Sequence, residues 1–76
     1  MSSTKVIDAR GSFCPGPLME LIAALKGVAI GDELDILSTD KGSADDIPEW
    51  IKKVGHVLVS SAEENGVYRL RVRKAK

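Results

Sequence analysis

Apolar residues along the chain change their spacing from one segment to the next, and each change predicts an element. Residues 6–9, VIDA, are a short apolar run closed by the Arg10-Gly11 break, the pattern of a brief buried strand. From Leu18 the apolar positions become Leu18, Leu21, Ile22, Leu25 and Val28, one stripe of a helix, with Glu20 and Lys26 outside it and Gly27 as its stop. After the Gly31-Asp32 turn, Glu33 to Thr39 reads as a strand that carries Leu34 and Ile36 on one face. Ile47, Trp50, Ile51 and Val54 share a face of a second helix that ends at Gly55. Its start has two readings, a capping box of Ser43 with Asp46 or of Asp46 with Glu49. Pro48 favours the later one, because it then falls in the first turn.

The chain closes with two strand-like runs, His56 to Ala62 and Val67 to Arg73, joined through Asn65-Gly66. That pair suits a type I′ hairpin turn, in which both central residues need positive φ. The order is therefore β-α-β-α-β-β. Strand-helix-strand passages make parallel neighbours and the hairpin adds an antiparallel pair, so the expected fold is an α+β two-layer sandwich: a four-stranded mixed sheet with two helices on one face. Tyr68, Leu70 and Val72 alternate with Arg69, Arg71 and Arg73, one set for the core and one for a solvated sheet face.

Composition narrows the function. Residues 1–76 read as a single domain, which buries only about 60% of the surface of its unfolded chain and has room for one site. Eleven acidic residues balance eleven basic ones, so no global field holds a polyanion, although the segment RLRVRKAK is locally basic. The opening MSSTKVID lacks the apolar run of a signal peptide, and no stretch reaches the length of a membrane span. One cysteine permits no internal disulfide, and one cysteine with one histidine assembles no metal cluster, so neither metal nor cofactor is expected. A free thiol points to a reducing, cytoplasmic setting.

That thiol, Cys14, lies in SFCPGP, before the first helix. At the N-cap, with Pro15 as the first helical residue, it meets the positive end of the helix dipole, which favours the reactive thiolate. Pro15 and Pro17 remove two backbone N–H donors, leaving those of Cys14 and Gly16 near the sulfur. Gly16 leaves space above the sulfur for a partner's own cysteine, and Arg10 adds a positive charge nearby. The bland alternative is a buried cysteine beside ordinary helix punctuation. No second cysteine supplies a C-x-x-C pair, and His56 opens a distant strand, where a structural role suits it better than general-base work. A thiol that carries a group covalently needs only nucleophilicity, exposure and a rigid mount.

Asp8-x-x-Gly11-x-x-Cys14-Pro15-x-Pro17, the Gly31-Asp32-Glu33-Leu34 strand entry, the Thr39-Asp40-x-Gly42-Ser43 loop and Asp46-Ile47-Pro48-x-Trp50 together closely resemble the TusA/SirA-like family of small sulfur carriers. The resemblance implies a βαβαββ sandwich and a persulfide on Cys14. Its donor would be a cysteine desulfurase or a rhodanese-like protein, and its acceptor a cysteine on a DsrE-like or other thiol relay protein. The sulfur would serve tRNA thiolation, cofactor synthesis or sulfur oxidation. Pro15 and Pro17 would frame the thiol, and Asp8 and Gly11 would shape the loop before it. Ser12 stands where the family commonly has an apolar residue, and Gly16 where it has a larger one. Apolar Phe13, Met19 and Ala23 are candidates for partner docking, against the alternative that Phe13 and Met19 close the core. A monomer is expected.

Two other classes compete. A redox-sensing module would oxidise or cap Cys14 rather than load it with sulfur. An RNA-binding module would use Arg69, Arg71 and Arg73, but Phe13, Trp50 and Tyr68 are the only aromatics and do not form a stacking platform by pattern.

Overall fold

The computed structural model describes residues 5–13 and 16–76. Four strands and two helices follow one another as β1 (Lys5–Asp8), α1 (Gly16–Leu25), β2 (Glu33–Ser38), α2 (Lys41–Val54), β3 (Val57–Glu64) and β4 (Val67–Arg73). They form one four-stranded sheet in the order β1-β2-β4-β3. β1 and β2 run parallel, and β4 runs antiparallel to both β2 and β3. α1 packs on α2 and β2, and α2 packs on β2, β3 and β4, so both helices cover one face of a mixed sheet, the expected α+β sandwich.

The core follows from the two apolar periods. Leu34 and Ile36 point from β2 to the helices and lie across from Val72 and Leu70 of β4. Leu21 and Leu25 meet them from α1, and Ile47 and Ile51 from α2. Burying each such side chain fully stabilises the fold by about 1.5–3 kcal/mol. Of the predicted first stripe, Leu18 and Val28 pack at the margin of this core, and Pro17 is buried with them. Gly27 falls in the turn after α1, donating its N–H to the Ala24 carbonyl at 3.0 Å. The hairpin is as expected: Asn65 and Gly66 have φ of 52° and 79° between the two strands.

Three expectations are corrected. β1 is not a buried strand: it runs along the sheet edge, Val6 is 51% exposed, and only Ile7 is half-buried. α2 begins earlier than either capping box, at Lys41, because the Asp40 carboxylate accepts the Ser43 N–H at 3.0 Å. Pro48 consequently stands well inside the helix, where buried Ile47 and Ile51 on either side hold the turn to the core. β3 starts at Val57 and runs on to Glu64, with a bulge between Leu58 and Ser60 that accommodates an extra residue.

Candidate functional site

The loop after β1 is built from the sheet outward. Ala9 is buried and extends the β1–β2 pairing by one rung, its N–H donating to the Leu37 carbonyl at 2.9 Å. Asp8 folds back on the loop and accepts the Arg10 backbone N–H at 3.1 Å and the guanidinium Nε and Nη2 at 2.8 and 2.7 Å. The guanidinium, followed by that backbone N–H, pulls the Asp8 carboxyl down to about 2, and the carboxylate in turn raises Arg10. Both side chains are about half exposed, so the pair orders the loop more than it stabilises the fold. Gly11 turns with φ of 86°, a left-handed conformation that glycine adopts without a steric penalty, and its N–H donates to Thr39 Oγ1 at 2.9 Å. Ser12 N–H closes on the Ala9 carbonyl at 3.2 Å.

Cys14 and Pro15 lie outside the described residues, and so does the N-cap assignment made for them. Their neighbours revise two details. Gly16 N–H is not a spare donor: it is given to the Phe13 carbonyl at 2.7 Å. Nor does Gly16 face empty space, since a Cβ there would lie 3.3 Å from Ser12 Cβ. Ser12 and Gly16 are thus spatial neighbours, and the small residue at one suits the close approach of the other. Pro17 is buried and anchors the start of α1.

Phe13 and Met19 do not close the core. They are 78% and 58% exposed, and Ala23 is exposed as well, which puts all three at the surface around the start and outer side of α1. Ile22, Leu25 and Trp50, with His56, Lys26, Lys74 and Lys76, line a cavity of about 220 Å³ toward the other end of α1. His56 has a structural partner: its Nδ1 accepts the Ala75 N–H at 3.1 Å, and its ring lies 5.8 Å from that of Trp50.

On the sheet face away from the helices the arginines are not a free row. Arg69 and Arg71 converge on the Asp35 carboxylate, each with a shortest contact of 2.7 Å, and Arg73 reaches Glu33 at 2.6 Å. The Asp35 side chain is only 1% exposed, and the Arg71 hydrogen bond holds its carboxyl below the usual range despite burial. Each of the three arginines is thus paired with a carboxylate. Sequence reasoning passed over Asp35, and it quoted Thr39 only within the Thr39-Asp40-x-Gly42-Ser43 loop, with no role of its own. The opposite-sign spacing of Asp35 with Arg69 and Arg71 becomes informative only once β2 and β4 are known to be neighbours. Among the described residues no group of three or more His, Cys, Asp or Glu side chains is placed to hold a metal ion, and no helix is long and apolar enough to cross a membrane.

The model of the sulfurtransferase TusA family matches residues 5–74. The chain belongs to the TusA family. The TusA match spans all four strands and both helices, and makes the protein a sulfur carrier. A protein of Archaeoglobus fulgidus, named provisionally a sulfur carrier protein, is 55% identical over 71 residues, 93% of this chain and 97% of that one. The sulfur carrier protein TusA of Pseudomonas putida is 36% identical over 69 residues, covering 91% and 86% of the two chains. The crystal structure of a SirA-like protein from Desulfitobacterium hafniense superposes with a TM-score of 0.83 over 97% of this chain and all of that one. At 21% identity, this neighbour speaks for the fold alone.

Proposed function

We propose that Cys14 is the residue that carries the sulfur, as a persulfide. One observation supports this above all: the chain has a single cysteine, so a sulfur carried on a thiol has no other place to sit. The Cys14 thiolate attacks the terminal sulfur of a donor cysteine persulfide. A new S–S bond forms on Cys14, the donor's S–S bond breaks, and the donor cysteine leaves as a thiolate. The same exchange in reverse roles passes the sulfur to an acceptor cysteine, with no external oxidant or reductant.

The donor class is a cysteine desulfurase or a rhodanese-like protein, and the acceptor class a DsrE-like or other thiol relay protein, with the sulfur serving tRNA thiolation, cofactor synthesis or sulfur oxidation. The protein acts as a monomer in the reducing cytoplasm, where a lone thiol stays free. Asp8, Arg10, Gly11, Pro15, Gly16 and Pro17 frame the thiol, and exposed Phe13, Met19 and Ala23 form part of the surface on which donor and acceptor dock.

Intact-mass measurement tests the reading. After incubation with a desulfurase and cysteine, or a rhodanese and thiosulfate, the protein gains one sulfur, about 32 Da, removable by dithiothreitol. Cys14→Ser folds and gains nothing. Wild type that stays unloaded with donors of both classes while its thiol is reduced and accessible, yet takes up oxygen stepwise from peroxide, would replace the carrier reading with the sensor one.

A further inference from the structure

The backbone donors that follow β1 are satisfied in sequence: Ala9 by the Leu37 carbonyl, Arg10 by Asp8 Oδ1, Gly11 by Thr39 Oγ1 and Ser12 by the Ala9 carbonyl. Three of these four acceptors belong to the backbone or to the loop's own side chain. The fourth is a hydroxyl 28 residues away in sequence. The rungs from Ala9 to Leu37 and from Gly11 to Thr39 keep the two-residue step of a parallel ladder, but β2 has already ended at Ser38. A side chain therefore prolongs the ladder past the strand's end, to the residue that lies three before Cys14.

We propose that Thr39 is a positioning residue for sulfur transfer, its hydroxyl setting the placement of the loop that carries Cys14. This rests on the reading of Cys14 as the sulfur-bearing residue. With Gly11 tied to Thr39 and Pro17 buried in the core, the five residues between them are fixed at both ends. Two of the six residues from 12 to 17 are prolines, which restrict φ further. Threonine suits the task because its β-branched side chain is stiff at χ1, so the acceptor is held in place rather than sampled. Its neighbours are fixed on both sides: Ser38 is buried at the end of β2, and Asp40 is the N-cap of α2. Gly11 is in this way keyed to the start of α2. Placement matters for a thiol that must approach a partner's sulfur in line, since a misplacement of about 1 Å can cost a transfer step about 100-fold.

Two substitutions in the full chain test this. Thr39→Val keeps the shape and loses the acceptor, and Thr39→Ser keeps the acceptor. Three quantities are followed: the rate of sulfur loading from a desulfurase and cysteine, the pH profile of Cys14 alkylation by iodoacetamide, and the melting temperature. The valine variant should load about three- to tenfold more slowly, the range that one net hydrogen bond carries, with its alkylation profile displaced from wild type. The serine variant should restore both, and melting midpoints should move by no more than about 8 °C. Valine and wild-type proteins with the same loading rate and the same profile would overturn the proposal, and so would valine and serine variants that are equally impaired. If wild type itself does not load, the carrier reading fails, while the alkylation profiles still judge Thr39.

Discussion

The two helices share one core and are built on opposite plans. α2 is closed at both ends by its own residues. Asp40 accepts the Ser43 N–H and hydroxyl at 3.0 and 2.9 Å at the start. At the other end Gly55, at φ of 91°, and His56 both donate N–H groups to the Ile51 carbonyl, with Lys52 and Lys53 in the last turn to complement the dipole. α1 has ten residues to the fourteen of α2, with no acidic residue in its first turn and no basic one in its last. Its outer side carries Met19 and Ala23 where α2 carries charge. The carboxylate closest to α1 on the N-terminal side of the chain, Asp8, is held by Arg10. α2 is therefore capped at both ends by described residues, whereas the first described turn of α1 carries no carboxylate.

Substitutions at four residues would break or sharpen that contrast. The largest effect belongs to what the helices share: Leu21→Ala in α1 and Ile51→Ala in α2 should each destabilise by about 2–5 kcal/mol in urea titration, since both side chains are fully buried. A loss below about 1 kcal/mol at Leu21 would mean that α1 is not anchored as α2 is. Next comes the closed end of α2. Asp40→Ala should cost about 1 kcal/mol, with most of it regained in Asp40→Asn, because either side-chain oxygen can accept the Ser43 N–H. The smallest effect is the most specific. Met19→Glu puts a carboxylate near the start of α1 and should slow Cys14 alkylation about two- to fivefold at low ionic strength, with the effect fading in salt. An unchanged rate would show that the unneutralised end of α1 does nothing for the thiol.

Much of this architecture was legible in the sequence because it is set by local rules. Asn65-Gly66 specifies the hairpin through the φ values of two adjacent residues, and the alternation of Tyr68, Leu70 and Val72 with arginines gives β4 its two faces. The misreadings came where a distant neighbour decides. An apolar run does not say whether its strand is central or at an edge, and β1 lies at the edge because β2 alone pairs with it. The start of α2 was drawn late by Pro48, whose missing N–H is a local penalty, while the double acceptance at Asp40 and the burial of Ile47 and Ile51 outweigh it. Asp35 reads as an outward strand residue and is one, but two arginines of β4 fold over it and bury it. At the site, the Cys-Pro-Gly-Pro element and the family resemblance, Thr39 included, were plain from the residues, whereas the bond from Gly11 to Thr39 joins positions 28 apart and is not announced by either motif.

The strand order has a consequence for life at high copy number. A four-stranded sheet has two free rims, and each invites a neighbour to add itself as a fifth strand. Here one rim is β1, only four residues long and opening with Lys5. The other is β3, longer and more exposed, but broken by its bulge at Leu58/Ser60 and finished with Glu63 and Glu64. Neither rim offers a long, flat, uncharged template, so exposed Phe13 and Met19 can stay at the surface without the sheet itself seeding permanent stacks.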